Sequence, residues 1–390
     1  MHFDFDTVID RYNTNCVKYD SAVKPGYPAD ILPLWVADMD FKVPQCVTDA
    51  LRRAVDHGIY SYSVTPEGYY TAVCKWFRER FDWQVEREWI VKTPGVVLAL
   101  SAGVRVMTQP GEAVMILTPV YAPFYNVVTL NDRKLVESSL RYENGKYTID
   151  FADVEEKIRE NDVKLFILCS PHNPIGRVWT LEELQTLGAI CQKHGVRVIS
   201  DEIHCDFSWP EHPHTPFIKA CPEFAETAMV CTAPSKTFNL AGLEASNIFV
   251  PGAQLRQAYR QELGRMFCGG LNCMGIVGCQ AAYEGGAEWL DACKAYIREN
   301  LAYVRGFLKE NLPQVKLVEP EGTYFAWLDF TELGLTEEKL NETIVFKAKL
   351  RFIEGSVFGE SAALFQRVIL ACPRAILEKA MLQLKLAIDG

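Results

Sequence analysis

Short apolar runs alternate with helix-like segments between about residues 87 and 250, and this alternation constrains the fold more than any other feature. The apolar, β-branched runs have the length of buried strands and lie at 89–93, 113–117, 163–169, 196–200 and 228–232. Near-continuous apolar strands separated by helices are typical of a mainly parallel sheet that is covered on both faces. The sequence therefore predicts an α/β domain of three layers, with the sheet between two layers of helices.

The segments between these runs have features typical of helices. Residues 96–107 are apolar and compatible with a helix, and they follow Gly95 directly. Thr180 and Glu183 have the spacing of a capping box, which predicts that a helix starts at Thr180. Gly195 is a typical residue to end that helix.

The pattern changes after about residue 288, where the strand–helix alternation stops. The C-terminal part has a predicted long helix, two predicted strands and a final helix, at 289–312, 324–328, 367–370 and 375–388. A chain of 390 residues also exceeds the size of one ordinary core. We therefore predict a large domain over 51–288, a smaller α+β domain over 289–390, and an N-terminal arm over 1–50 that packs on the smaller domain.

Composition restricts the partners and the location. The formal net charge of −10 argues against a nucleic-acid-binding surface. No apolar run reaches the length of a membrane span, and the acidic N-terminus lacks the apolar core of a signal peptide. Thirteen cysteines without a Cys-x-x-Cys pair indicate reduced thiols. We expect a cytoplasmic protein with no nucleic-acid partner and no membrane partner.

The histidines of one segment raise the question of a metal site. His204, His212 and His214 are close in sequence, but three prolines interrupt the segment between 210 and 216. The regular spacing that metal ligands need is therefore lost, and we expect no metal.

Five residues follow the five predicted strands in turn. They are Gly95, Tyr121, Asn173, Asp201 and Lys236. In open parallel sheets, ligands bind beyond the carboxyl ends of the strands. Because these ends share one edge of the sheet, we expect the five residues to meet there.

A lysine, an aspartate and an asparagine at such an edge are what a pyridoxal phosphate (PLP) site needs. Lys236 would form a Schiff base with the cofactor and, once released, move the Cα proton of the substrate. Asp201 would keep the pyridine nitrogen protonated, and Asn173 would hydrogen-bond the ring oxygen O3′. The alternatives are a surface lysine, a helix cap and a turn residue, and the shared edge favours the PLP site.

Further residues near the same edge complete the predicted cofactor site. The backbone N–H groups of Gly95, Val96 and Val97 open a helix after a strand, which suits a phosphate group. Ser235 can add a hydroxyl to the phosphate. Tyr121 can stack on the cofactor ring, although an aromatic residue after a strand also serves as plain core.

Two more residues have candidate roles and open alternatives. His204 lies just after Asp201 and can reach the O3′ side of the cofactor, or it is a structural histidine. Arg374 begins the predicted final helix, and its planar guanidinium can bind a substrate carboxylate bidentately. The alternative for Arg374 is a surface arginine.

The motifs Asn-Pro-x-Gly, Asp-Glu and Ser-Lys occur in an order that resembles the fold-type I PLP enzymes of the aspartate aminotransferase superfamily. Longer segments are similar to the bacterial C–S β-lyases of the MalY/PatB type. They are LWVADMDF at 34–41, SDEIHCDF at 200–207 and APSKTFNLAGL at 233–243. The resemblance covers essentially the whole chain. It implies a PLP-dependent lyase that cleaves L-cystathionine or a related cysteine S-conjugate to a thiol, pyruvate and ammonia.

The resemblance also implies roles that spacing does not supply. Tyr62 would reach the cofactor phosphate from a neighbouring subunit, so the enzyme would be a homodimer with shared active sites. The backbone near Val36 and Ala37 would hold the substrate carboxylate together with Arg374.

Two departures from the family pattern bear on the site. Glu244 stands on the phosphate side, where a neutral or positive residue is more comfortable, and Ile369 takes the place of an asparagine. Two other functions stay open. An aminotransferase shares every cofactor contact and differs in the fate of the Cα carbanion, whereas a regulator that binds a partner through the same fold does not need Lys236.

Overall fold

The structure, a computed structural model, describes residues 3–390. Its strands are β1 Leu32–Pro33, β2 Ile90–Thr93, β3 Ala113–Thr118, β4 Lys134–Ser139, β5 Arg141–Glu143, β6 Lys146–Thr148, β7 Val163–Cys169, β8 Arg197–Asp201, β9 Ala228–Thr232, β10 Ser246–Phe249, β11 Lys316–Val318, β12 Phe325–Asp329, β13 Leu350–Arg351, β14 Ile353–Glu354 and β15 Phe365–Ile369. Its helices are α1 Val17–Asp20, α2 Gln45–His57, α3 Glu67–Phe81, α4 Val96–Met107, α5 Pro123–Thr129, α6 Phe151–Asn161, α7 Leu181–Lys193, α8 Phe217–Ala220, α9 Pro234–Thr237, α10 Ala253–Arg265, α11 Cys273–Gly285, α12 Ala287–Asn311, α13 Glu337–Glu342 and α14 Arg374–Asp389.

The central sheet has seven strands in the order β2-β10-β9-β8-β7-β3-β4. Neighbouring strands run parallel, except that β10 is antiparallel to both β2 and β9. All five predicted strands lie in this sheet, so the prediction of a mainly parallel α/β fold is confirmed.

The sequence pattern did not show two strands of the same sheet, β4 and β10. Strand β4 lies at an edge and alternates exposed with buried positions, and β10 is short and contains Ser246 and Asn247. Neither has the continuous apolar run that identifies a strand buried on both faces.

Side chains of β3 alternate between two cores, as the pleat of a strand requires. Val114 and Ile116 lie in the core that also contains Tyr259 of α10. Met115 and Leu117 lie in the other core, which continues into the C-terminal part of the chain. The sheet therefore stands between two helical layers, and the three-layer prediction is confirmed.

A glycine lets α4 approach the sheet closely. A Cβ atom on Gly103 would lie 2.8 Å from Cδ1 of Ile199 in β8 and 2.9 Å from Sδ of Met229 in β9. Contacts that short do not occur between real side chains, so a larger residue would push α4 outward. The close packing holds the second half of α4 against the sheet.

The C-terminal part forms a second sheet of four antiparallel strands in the order β11-β12-β15-β14. The long helix α12 packs on α14 and contacts β11. The N-terminal segment adds β1, which pairs in parallel with β13. This strand has only two residues, too few for a sequence pattern to show. The pairing is compatible with the predicted arm, while the domain boundaries at 50 and 288 stay a prediction.

Within residues 3–390, no helix is both long and apolar enough to cross a bilayer. No three His, Cys, Asp or Glu side chains in that range gather as they would around a metal ion. All thirteen cysteines are free thiols.

Candidate active site

A cavity of about 220 Å³ lies where the predicted residues meet. It is lined by Ala37, Pro94, Gly95, Val96, Val97, Leu98, Tyr121, Cys169, Asn173, Asp201, Ile203, His204, Ser235, Lys236, Ala241 and Ala245. Nine of these residues are the cofactor contacts expected from the sequence, and Ala37 is an expected substrate contact. The nine cofactor contacts lie at or just after the carboxyl ends of β2, β3, β7, β8 and β9, as the sheet-edge argument requires, whereas Ala37 comes from the N-terminal segment.

Lys236 lies in α9, the single helical turn that follows β9. Its Nζ donates a hydrogen bond of 2.7 Å to the backbone oxygen of Ala37. Burial, followed by the charge of Arg367, lowers the pKa of Lys236 to about 8, against the opposing carboxylates of Asp38 and Asp201. A fraction of the side chain is therefore neutral near neutral pH, which a Schiff-base nucleophile or a general base needs.

The turn that carries Lys236 is anchored by a buried carboxylate. Oγ1 of Thr237 donates to Oδ2 of Asp206 at 2.7 Å, and Nε1 of Trp76 donates to the other oxygen at 3.0 Å. Burial raises the pKa of Asp206. The two bonds tie α9 to α3, so they fix the direction in which Lys236 enters the cavity.

Asp201 is the last residue of β8 and is buried beside the cavity. Burial raises its pKa to about 7, although its Oδ1 accepts a bond of 3.1 Å from the backbone N–H of Ile203. A buried carboxyl group with a raised pKa is stabilised in its charged form by a cationic partner. The pyridine N–H of PLP is such a partner, so the site fits the role predicted for Asp201.

His204 and Tyr121 are kept neutral by their surroundings. Burial, then Lys236 and Arg367, lower the pKa of His204 well below its usual value. Within residues 3–390, Nδ1 of His204 has no hydrogen-bond partner. Burial, then the charge of Asp201, raise the pKa of Tyr121. Both side chains line the cavity, and their specific roles stay predictions.

The first turn of α4 is open toward the cavity. Helix α4 begins after Gly95 without a side-chain cap, so its first backbone N–H groups lack a helical partner. A Cβ atom on Gly95 would meet nothing within 4 Å, which shows free space beside this turn. Ser235 lines the same cavity. These groups can hold an anion such as a phosphate.

The residue that faces Asn173 from the smaller sheet is Arg367 of β15. Its Nη1 donates to Oδ1 of Asn173 at 2.8 Å, and its Nη2 donates to the backbone oxygen of Trp35 at 3.0 Å. The guanidinium lies over the rings of Phe325 and Phe358, at 4.4 and 5.1 Å from their centroids. Burial lowers the pKa of Arg367 to about 10, and its Nε has no partner within residues 3–390.

Arg374, which was predicted to bind the substrate carboxylate, does not line the cavity. Nε of Arg374 donates to Oδ1 of Asn300 at 2.8 Å, and its guanidinium lies 5.0 Å from the ring centroid of Tyr303. Both partners belong to α12, so Arg374 joins α14 to α12. A signal for Arg367 was present in the sequence, because it is a charged residue inside an otherwise strand-like run.

The two departures from the family pattern lie outside the cavity. Glu244 is exposed and ends a short turn at Ala241–Leu243, with a positive φ of 51°. The side chain of Ile369 is buried in the core, and its N–H donates to the backbone oxygen of Leu34 at 3.1 Å. Neither residue puts a charge or a polar group among those that line the site.

The remaining predicted residues are placed as follows. Ala37 lines the cavity, and its oxygen accepts from Oη of Tyr324 at 3.0 Å as well as from Lys236. Val36 does not line it, although its backbone oxygen accepts from the N–H of Asp38 at 2.8 Å. Tyr62 is fully exposed in the segment between α2 and α3. It does not line the cavity of its own chain, so its predicted role requires a second subunit.

The residues present fit PLP. The cavity combines an amine with a lowered pKa, a buried carboxylate and an open helix start. Among the residues that the structure describes, two buried side chains have unpartnered nitrogens here: His204, which lines the cavity, and Arg367, which donates to the lining residue Asn173. Unpartnered buried polar atoms are rare in native proteins, and a bound molecule would satisfy those of His204 and Arg367.

Comparison with known proteins agrees with this fit. The family "Aminotransferase class I and II" matches residues 29–383. The chain is 41% identical to the cystathionine β-lyase PatB of Bacillus subtilis, over 99% of this chain and 100% of PatB. A PLP-bound putative aminotransferase from Clostridium difficile has a TM-score of 0.97 at 40% identity, covering 99% of this chain and 100% of its own. The PLP-bound C–S lyase from Staphylococcus hominis has a TM-score of 0.93 at 34% identity, covering 100% of this chain and 99% of its own.

The chain therefore belongs to the class I and II aminotransferase family, and it is a PLP-dependent enzyme of fold type I. Within that family it is a carbon–sulfur lyase of the MalY/PatB type, as the long sequence motifs predicted.

Proposed function

We propose that the enzyme cleaves the Cβ–S bond of L-cystathionine, or of a related cysteine S-conjugate, and releases a thiol, pyruvate and ammonia. The observation that carries this proposal is the meeting of Lys236, Asp201 and Asn173 around one cavity, in a chain 41% identical to a cystathionine β-lyase. Arg367 is bound to Asn173 from behind that lining. PLP, when bound, supplies an electron sink for the Cα carbanion of an amino acid.

Two residues of the chain have separate roles in the reaction. Asp201 would hold the pyridine nitrogen of PLP and favour its protonated form. Lys236 removes the Cα proton, because its pKa of about 8 leaves a neutral fraction near neutral pH. A thiolate is a good leaving group, so loss of the proton from Cα allows the Cβ–S bond to break.

Arg367 is the residue that we propose for the substrate carboxylate. It is buried beside the cavity, and Asn173 and the backbone of Trp35 hold its two terminal nitrogens. The unpartnered Nε leaves one edge of the guanidinium able to bind a carboxylate oxygen. Oδ1 of Asn173 already accepts the hydrogen bond from Arg367. Its amide NH₂ group is therefore the part of the side chain that would donate to the ring oxygen of PLP.

The test is the production of pyruvate from L-cystathionine by the purified, PLP-loaded enzyme. We expect pyruvate and a free thiol in equal amounts. An aminotransferase, the other function open to this site, would instead make a new amino acid from a supplied 2-oxo acid. Formation of that amino acid without pyruvate or thiol would refute the lyase proposal.

We also propose a homodimer in which Tyr62 completes the phosphate site of the other subunit. The support is an exposed apolar surface around Tyr62, which includes Val64 at 89% and Phe267 at 95% exposure. Ser63 and Cys268, from the same two segments, line one cavity. Exposed apolar patches of this kind mark interaction surfaces. The thirteen free cysteines support a reducing location, and we propose the cytoplasm.

Subunit mixing tests the shared site. A Tyr62→Ala chain and a Lys236→Ala chain should each be nearly inactive alone. In a hybrid dimer, one site would take Lys236 from the first chain and Tyr62 from the second, so it would be intact. An equal mixture should recover roughly a quarter of the wild-type rate, because half of the dimers are hybrids with one intact site. No recovery in a mixture that does exchange subunits would contradict the shared site.

A further inference from the structure

Four charged side chains form ion pairs at the segment 36–40, which carries Ala37. Asp38 and Asp40 belong to the segment, and Arg11 and Lys18 come from the preceding part of the chain. Nη2 of Arg11 contacts Oδ2 of Asp38 at 2.7 Å, and its Nη1 contacts Oδ1 of Asp40 at 2.5 Å. Nζ of Lys18 lies 2.8 Å from Oδ2 of Asp40 and 3.5 Å from Oδ1 of Asp38. We call these four residues the arm cluster. It holds two positive and two negative charges, so it is balanced.

The arm cluster fixes its segment from the side of the N-terminal arm. Lys18 and Asp40 are buried, and the side chains of Arg11 and Asp38 are each 20% exposed. Charges removed from water in this way depend on their partners, because an unpaired buried charge is costly. Arg11 is the residue that bridges both carboxylates from the more exposed side, so it can be replaced without leaving a fully buried charge alone.

The large domain holds the same segment from the opposite side. The N–H of Met39 donates to Oδ1 of Asn239 at 3.0 Å, and Nδ2 of Asn239 donates to the oxygen of Met39 at 2.9 Å. The segment between these two supports presents the oxygen of Ala37, which accepts from both Lys236 and Tyr324. A shift of Asp38 therefore moves the acceptor of the catalytic amine.

Asp38 also acts on Lys236 through its charge. It raises the pKa of Lys236, as Asp201 does, whereas burial and Arg367 lower it. Tyr324 and His204 face the same region and are held neutral by burial, because the pKa of the first is raised and that of the second is lowered. Of the arm cluster, Asp38 is thus the member that acts on the amine, and Arg11 is its ion-pair partner.

We propose that Arg11 is a positioning residue of the active site: it fixes and neutralises Asp38, so that the Ala37 carbonyl stays opposite Lys236 and the charged form of Lys236 is not favoured. This inference rests on the proposed role of Lys236 but not on the identity of the substrate. Arg11 touches neither the cavity nor the reacting atoms, and it acts through Asp38 and the segment 36–40.

The first test is a pH titration of the visible absorbance of PLP bound to Lys236, in the Arg11→Gln holoenzyme. The variant leaves the arm cluster with one excess negative charge, so the midpoint should move to higher pH by about one pH unit. The double variant Arg11→Gln/Asp38→Asn is balanced again, so its midpoint should return to the wild-type value. Arg305→Gln, which breaks an exposed pair with Glu319, is the matched control and should not move the midpoint.

The second readout separates position from charge. Arg11→Lys keeps the charge but cannot bridge both carboxylates, so its midpoint should stay near that of the wild type while KM rises several-fold. If Arg11→Gln does not fold, Asp38→Asn replaces it in the titration. Loss of that carboxylate should move the midpoint in the opposite direction, to lower pH. An unchanged midpoint in the folded single variant would overturn the proposal. The titration needs no substrate, so its outcome is independent of whether L-cystathionine is cleaved.

Discussion

The two sides of the cavity differ in where their residues lie in the sequence. One side consists of residues at the ends of parallel strands, including Asp201 and Lys236, and each follows its strand closely in sequence. The other side is formed by Ala37 of the N-terminal segment. Tyr324 and Arg367 hold that segment through hydrogen bonds to the backbone oxygens of Ala37 and Trp35. The difference predicts a division of labour: the strand-end side acts on PLP and the Cα proton, and the other side holds the substrate.

Lys236→Ala should cause the largest effect. The variant loses both the link to PLP and the general base, so the rate of pyruvate formation should fall roughly 10⁴-fold or more. PLP should still bind through the other contacts, but the absorbance that depends on the link to Lys236 should be lost. The control is Lys193→Ala, an exposed lysine paired with Glu155, which should retain full activity. Activity within tenfold of the wild type in Lys236→Ala would remove this residue from the mechanism.

Asp201→Asn tests the same side of the cavity through charge alone. The amide keeps the shape but cannot favour a protonated pyridine nitrogen, so kcat should fall roughly 10²–10³-fold with a smaller change in KM. A variant that changed KM only would break the proposed division between the two sides.

The protonation of Asp201 has a consequence for stability in the cofactor-free protein. Its pKa is raised from 3.8 to about 7 in the folded state. Between these values the folded protein keeps a proton that the unfolded chain has released, so the contribution of Asp201 to the free energy of unfolding falls as pH rises through this window. Denaturant unfolding of the cofactor-free protein at several pH values should show this fall, and Asp201→Asn should lack it.

Arg367→Lys tests the other side. Lysine keeps a positive charge but lacks the planar fork that Asn173 and Trp35 hold in place. The expected result is a loss in kcat/KM of roughly 30- to 1000-fold, mostly through KM, as for one broken contact of a buried charge pair. The visible spectrum of bound PLP should persist. A loss confined to kcat would show that Arg367 belongs functionally with the strand-end side.

The two sides also differ in how much of each could be predicted from the sequence. The strand ends were predictable because buried strands have local apolar patterns and parallel strands share one carboxyl edge. The position of Arg367 depends on the pairing of β12 with β15 and on contacts with Trp35, which lie far apart in sequence. The arm cluster joins Arg11 and Lys18 to Asp38 and Asp40, and no local pattern indicates such pairs. The sequence placed Arg374 at a helix start correctly, but helix starts do not indicate which cavity a side chain enters.

Arg374→Ala should have the smallest effect and decides between the two arginines. Its guanidinium contacts Asn300 and Tyr303, both in α12, so its loss should lower the free energy of unfolding by about 1 kcal/mol. Because the side chain does not line the cavity, kcat/KM for L-cystathionine should stay within about threefold of the wild type. The comparison uses urea unfolding and steady-state kinetics on the same preparations. If Arg374→Ala raised KM as strongly as Arg367→Lys, the smaller domain would have to rotate on substrate binding, and the carboxylate would belong to Arg374 in the closed enzyme.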